Sequence, residues 1–98
     1  MKTITVHDLN ALDERVVIDV RESFEFADGH VPGAVNFPLS VLVEQVKTLP
    51  DAEALYVICA SGGRSQQATQ FLTREGRNAV NVDDGTGAWL QAGFPVER

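Results

Sequence analysis

The sequence predicts a small α/β domain built on a mostly parallel β-sheet. Three short apolar runs rich in β-branched residues are each followed by a helix-like segment, and repeated β-then-α units favour parallel strands. The two clearest strands, Val16 to Val20 and Leu55 to Cys59, are almost continuously apolar, as expected where helices cover both faces. With 98 residues, the chain has the length of one domain, and we expect residues 1–98 to form it.

The first helix signal follows a short strand at the start of the chain. This strand is predicted from Lys2 to Thr5. Thr5 and Asp8 then have the spacing of a capping box, which opens a helix that we expect to run through Leu12.

The middle of the chain predicts one short strand and one long helix. The strand spans Ala34 to Phe37. Ser40 is the candidate N-cap of the helix, and Pro50 stops it because proline cannot continue the helical hydrogen bonds. Apolar side chains recur between them at helical spacing, at Leu42, Val43, Val46 and Leu49.

Two more helices and a strand are predicted after Cys59. Gly76 stands at the usual C-terminal position of the first helix, whose apolar stripe contains Ala68, Phe71 and Leu72. The strand spans Ala79 to Val82, and a short last helix spans Gly87 to Ala92. Such stripes are typical of helices that pack on a sheet, so they indicate fold rather than function.

Composition and charge exclude several classes of protein. The formal net charge is −6, and the eight Lys and Arg residues are scattered, so we expect no nucleic-acid partner. No window approaches the ~20 apolar residues of a membrane span, and the first residues do not form a signal peptide. A single cysteine makes no internal disulfide and suits a reducing compartment. We therefore expect a cytoplasmic protein with no membrane contact.

Cys59 stands where ligands bind in parallel α/β sheets. It lies at the exit of the strand that begins at Leu55, and a helix is predicted to start near Arg64. Ligands bind outside the carboxyl ends of such strands. The candidate site is this connecting loop, formed by Cys59, Ala60, Ser61, Gly62, Gly63, Arg64 and Ser65.

The small residues of the loop allow its backbone to curl around the cysteine sulfur. Gly62 and Gly63 permit unusual dihedral angles, so successive N–H groups can point to one centre. With the positive end of the next helix, such a cradle lowers a thiol pKa from about 8.5 toward neutrality. Arg64 either contacts an incoming anion or braces loop carbonyls, and Ser65 either caps the helix or donates to the bound group. A buried, inert Cys59 is the alternative, which the cradle disfavours.

Three ordered segments resemble the signatures of the rhodanese family. They lie at Ile18 to Phe26 with Gly29 to Pro38, at Cys59 to Arg64, and at Asp84 to Trp89 with Ala92 to Val96. The resemblance implies a rhodanese-like three-layer sandwich, with a five-stranded, mostly parallel sheet and helices on both faces.

The resemblance also implies a sulfurtransferase that works through a Cys59 persulfide. The sulfur comes from a small donor, thiosulfate or a persulfide, and passes to a thiol, to cyanide or to a sulfur-accepting protein. No metal or organic cofactor is implied. The alternative is a sulfur carrier or regulatory binding module with a protein partner. A Cys-dependent phosphatase is disfavoured, because the related phosphatase loops have one residue more between cysteine and arginine.

Other charged residues have both structural and functional interpretations. By resemblance, Asp19 and Arg21 stand at the carboxyl end of another strand and are candidate partners that support the site; a local ion pair is the favoured alternative. Glu25 has the spacing to pair with Arg21 on one helix face. His30 fits a buried turn histidine better than a catalytic acid or base.

Overall fold

A five-stranded sheet, in which every neighbouring pair of strands is parallel, forms the centre of the computed structural model, which describes residues 1–98. The strands are β1 (Lys2–Ile4), β2 (Val16–Asp19), β3 (Val35–Asn36), β4 (Leu55–Ile58) and β5 (Ala79–Val82). Their order across the sheet is β1-β5-β4-β2-β3, so β4 is central. Each predicted strand is present and is at most two residues shorter than expected.

Four α-helices connect the strands, and a fifth follows the last strand. They are α1 (Val6–Asn10), α2 (Ser23–Asp28), α3 (Leu39–Gln45), α4 (Gly63–Arg74) and α5 (Gly85–Gln91). A short 3-10 helix, Val46–Thr48, follows α3. None of the helices combines the length and the apolar character needed to cross a membrane.

The apolar core lies in two layers, one on each face of the sheet. Leu42 of α3 and Leu72 of α4 belong to one buried cluster, whereas Leu9 of α1 and Trp89 of α5 belong to the other. Val57 and Ile58, neighbours in β4, fall into different clusters because successive strand side chains point to opposite faces. The predicted α/β sandwich, with helices on both faces, is therefore confirmed.

The start of α1 agrees with the sequence. Thr5 Oγ1 accepts a hydrogen bond from the Asp8 amide at 3.2 Å. The helix ends two residues before the predicted Leu12. The helices α4 and α5 begin slightly earlier than predicted, at Gly63 and Gly85. Such shifts are common, because the terminal turns of a helix have few hydrogen bonds.

The helix predicted to begin at Ser40 differs in its start and its length. Pro38 is its N-cap residue and has an extended backbone, with φ −52° and ψ 138°. The Ser40 hydroxyl instead donates to Glu22 Oε2 at 3.3 Å. The regular α-helix ends before the 3-10 turn, and Val43, assigned to the apolar stripe, is exposed.

The short helix α2 has no counterpart among the predicted helices. None of its six residues is buried, and Phe24 is 72% exposed, so it shows no apolar stripe. Its sequence signal is a reciprocal capping pair: Glu25 Oε1 accepts the Glu22 amide at 3.0 Å, and the Glu22 carboxylate caps in return. This helix carries Glu25 toward the candidate site.

Candidate active site

Cys59 lies directly after the central strand of the sheet. Its neighbours are β5 on one side and β2 on the other, so the segments that leave these three strands meet around the cysteine. Helix α4 begins four positions later, at Gly63. The thiol therefore stands at the carboxyl edge of the sheet, where parallel α/β folds bind ligands.

The loop after β4 curls around the cysteine sulfur. The Gly62 amide donates to Cys59 Sγ at 3.1 Å. The thiol donates to Ser65 Oγ at 3.3 Å, and the Ser65 hydroxyl donates to the Gly62 carbonyl at 3.1 Å. Cys59 is 1% exposed and Ser65 is fully buried. Ser65 thus contacts the sulfur, whereas Gly62 takes the N-cap position of α4.

These contacts control the ionisation of the thiol. Burial raises the pKa of Cys59, because it disfavours the charged form. The hydrogen bond with the Ser65 side chain and those with the amides of Ser65, Gly62 and Ser61 lower the pKa. The hydrogen bonds outweigh burial, so the pKa lies below its ordinary value. The site therefore favours the nucleophilic thiolate.

The two loop glycines have different roles. Gly62 has a φ of +107°, and a Cβ added there would lie 2.2 Å from the Asp83 carbonyl oxygen. Only glycine fits this position. Gly63 is the first residue of α4, its φ is not positive, and a Cβ there would meet open space. The predicted unusual dihedral angle is therefore present at Gly62 and wrong for Gly63.

The start of α5 anchors the other side of the loop. The amide and hydroxyl of Thr86 donate to the Cys59 carbonyl at 2.8 and 3.0 Å, and the Gly87 amide donates to the Ala60 carbonyl at 3.0 Å. A Cβ added to Gly85 would lie 2.4 Å from that Ala60 oxygen. Sequence reasoning assigned these residues no role, although they belong to the third family-like segment. Ala60 thus supports the loop through its carbonyl oxygen.

Arg64 forms an ion pair with Glu25 of α2. Its Nη1 lies 2.7 Å from Glu25 Oε1 and its Nη2 lies 2.9 Å from Oε2. The guanidinium binds this carboxylate rather than the loop carbonyls, and its contact with an incoming anion stays a prediction. The reason is that α2 brings a carboxylate within reach of the guanidinium, which prefers a forked contact with a carboxylate.

The ion pair shifts the pKa of both partners. The hydrogen bond from Arg64 is the main cause that lowers the pKa of Glu25 to about 2; burial opposes it and the Glu22 amide assists it. The hydrogen bond to Glu25 raises the pKa of Arg64. Glu25 is therefore ionised throughout the neutral pH range, and the charge of Arg64 is compensated.

Asp19 and Arg21 form a second, buried ion pair at the end of β2. Arg21 Nε lies 3.0 Å from Asp19 Oδ1, and its Nη2 lies 2.9 Å from Oδ2 and 2.8 Å from the Gly29 carbonyl. The Arg21 amide also donates to Asp19 Oδ1 at 3.0 Å. This is the local ion pair of the alternative interpretation. The predicted pairing of Arg21 with Glu25 is wrong, because Asp19 and Gly29 already occupy the guanidinium.

His30 lies buried beside α2, as the structural interpretation predicts. Its ring stacks on Phe26 with a centroid separation of 3.6 Å. Its Nδ1 lies 2.7 Å from the Phe26 carbonyl oxygen. These contacts hold the turn after α2, and with it the helix that carries Glu25.

Comparison with known proteins places this architecture in one family. The rhodanese-like domain family model matches residues 5–92. The Bacillus subtilis strain 168 protein YtwF, provisionally named a sulfurtransferase, is 37% identical over 81 residues, covering 83% of this chain and 79% of YtwF. YrkF of the same organism, provisionally named a sulfur carrier protein, is 34% identical over 74 residues, covering 74% of this chain and 40% of YrkF.

A solved structure shows the same fold over nearly the whole chain. The crystal structure of a rhodanese-related protein from Thermoplasma volcanium has a TM-score of 0.93 and 38% identity, and the match covers 99% of this chain and 98% of that one. The sheet order and the loop after the central strand agree with these matches. The chain belongs to the rhodanese-like domain family.

Proposed function

We propose that this chain is a sulfurtransferase that moves sulfane sulfur through a persulfide on Cys59. The Cys59 thiolate attacks the outer sulfur of thiosulfate or of a persulfide. The donor's S–S bond breaks, and sulfite or a thiolate leaves with the electron pair. Cyanide or a thiol then takes the outer sulfur of the Cys59 persulfide and restores the thiolate.

The contact between the Gly62 amide and Cys59 Sγ carries this proposal. Together with the Ser65 hydroxyl, it favours a thiolate at the position where the fold binds ligands. The similarity to YtwF supports the same chemistry. We propose further that residues 1–98 act as one domain in the cytoplasm, where a lone thiol stays reduced.

A sulfur carrier that serves a protein partner is the second candidate. Cys59 is only 1% exposed, and none of the surface cavities is lined by residues 59–65. A site without its own substrate cavity favours delivery of the sulfur by a macromolecule that covers the loop. The provisional name of YrkF as a sulfur carrier supports this candidate.

Mass spectrometry of the intact protein tests the common step. Incubation with thiosulfate or with glutathione persulfide is expected to add ~32 Da, the mass of one sulfur atom, at Cys59. The variant Cys59→Ser is the matched control and is expected to gain nothing. Absence of the adduct with both donors, while iodoacetamide still labels Cys59, would refute both candidates.

Turnover separates the two candidates. An enzyme is expected to produce many equivalents of thiocyanate from thiosulfate and cyanide, and Cys59→Ser is expected to produce none. A carrier is expected to load once and to release its sulfur slowly until a partner is added. Rapid multiple turnover with small molecules alone would therefore exclude the obligate carrier.

A further inference from the structure

The two arginines nearest the Cys59 loop are both neutralised by carboxylates. Arg64 is the loop's own cation, and Glu25 holds it through two hydrogen bonds of 2.7 and 2.9 Å. Arg21 is buried and bound to Asp19. Each of these two arginines is thus paired with one carboxylate, within a protein of net charge −6.

This charge balance affects donors differently. Thiosulfate is a dianion, and the sulfite that leaves it is also a dianion, so a free guanidinium would stabilise both its binding and its departure. A persulfide on a thiol carries at most one negative charge on its S–S group. Its transfer to the Cys59 thiolate breaks one S–S bond, forms another and releases a thiolate, which carries one negative charge on its sulfur where sulfite carries two.

We propose that Glu25 determines the donor specificity of this site: by holding Arg64, it directs the loop toward persulfides of thiols and away from thiosulfate. This inference rests on the proposed sulfur transfer and names its donor class. Glu25 acts through Arg64 and is a positioning residue, since its carboxylate contacts the guanidinium and the Glu22 amide.

The position of the pair supports such a role. Glu25 and Arg64 are half-buried, with side-chain exposures of 24% and 37%, so the pair is accessible to an entering anion. Arg64 lies in the first turn of α4, directly after the loop whose Gly62 amide contacts Cys59 Sγ. The carboxylate of Glu25 therefore competes with any anion that Arg64 would bind at this loop.

Glu25→Gln tests the proposal without removing the helix cap. The glutamine oxygen still accepts the Glu22 amide, so α2 is expected to form, while the compensating negative charge is lost. Asp28→Asn is the matched control: it removes one carboxylate from the exposed end of the same helix, and Arg64 forms its ion pair with Glu25. Circular dichroism checks that both variants fold.

Alkylation of Cys59 measures the charge at the site independently of sulfur transfer. Iodoacetate is an anion and iodoacetamide is neutral, and both modify the same thiolate. In Glu25→Gln, the ratio of the iodoacetate to the iodoacetamide rate constant is expected to rise about two- to fivefold, the range that partly exposed ion pairs support. Adding Arg64→Ala to this variant is expected to abolish the rise. An unchanged ratio in a folded Glu25→Gln protein, or an equal rise in Asp28→Asn, would overturn the proposal.

Steady-state kinetics with two donors then tests specificity. The wild-type chain is expected to have a higher kcat/KM with glutathione persulfide than with thiosulfate. Glu25→Gln is expected to lower KM for thiosulfate about two- to fivefold, with kcat and the persulfide KM nearly unchanged. Equal use of both donors by the wild type contradicts the proposal, even though it supports sulfur transfer itself. A persulfidated protein as a third donor shows whether the thiol is a small molecule or a protein cysteine.

Discussion

The two arginine–carboxylate pairs beside the Cys59 loop have similar geometry and different surroundings. In Arg21–Asp19 the side chains are 8% and 0% exposed, and the partners are two residues apart. In Arg64–Glu25 they are 37% and 24% exposed, and 39 residues separate them along the chain. Removing one partner of a buried pair leaves the other charge buried and uncompensated, which costs much free energy. Separating a half-exposed pair costs little, because water solvates both charges. The first pair therefore maintains the site, and the second can respond to a ligand.

The largest expected effect that distinguishes the two pairs is on stability. Asp19→Ala leaves the buried Arg21 charge uncompensated and is expected to lower the free energy of unfolding by about 3–5 kcal/mol. Glu25→Gln, which removes the negative charge of the other pair, is expected to cost at most about 1 kcal/mol. Urea denaturation followed by circular dichroism measures both. Equal losses would show that burial does not separate the pairs.

Conservative arginine variants sharpen the comparison. Arg21→Lys cannot reproduce the contacts to both Asp19 oxygens and the Gly29 carbonyl, so we expect it to lose about 1.5–3 kcal/mol, the range for hydrogen bonds to charged groups. Arg64→Lys keeps a half-exposed cation near Glu25 and is expected to lose less than about 1 kcal/mol. Thermal and urea unfolding compare the two. A larger loss from Arg64→Lys would reverse the assignment.

The smallest expected effect is the pH dependence of the exposed pair. The pKa of Glu25 is lowered to about 2 from an ordinary 4.5, so its stabilisation is present above pH 4.5 and is lost as the pH falls toward 2. Because both side chains are partly exposed, solvent limits this contribution to at most about 1 kcal/mol. Urea unfolding of the wild type and of Glu25→Gln at pH 6 and pH 3 measures it. A wild-type advantage that grows at pH 3 would contradict the sign.

The contrast between the pairs also explains which site residues the sequence could reveal. Arg21 and Asp19 lie close together in sequence, so a local ion pair is a reasonable inference from spacing. Glu25 lies in the connection between β2 and β3, and Arg64 lies in the connection between β4 and β5. Their contact depends on how α2 lies beside the loop after β4. Spacing instead suggested Arg21 as the partner of Glu25, which the geometry excludes.

Sequence patterns were enough to predict the α/β class, the positions of the strands, and Cys59 at the exit of a buried strand with Gly62 after it. Apolar runs and glycine constraints are local, so they are readable without coordinates. The packing of the folded chain was needed to show that Arg64 binds Glu25, that Thr86 and Gly85 contact the loop, and that Val43 faces solvent. These features arise where distant segments pack together, and hydrophobic periodicity within one element carries no information about its neighbours.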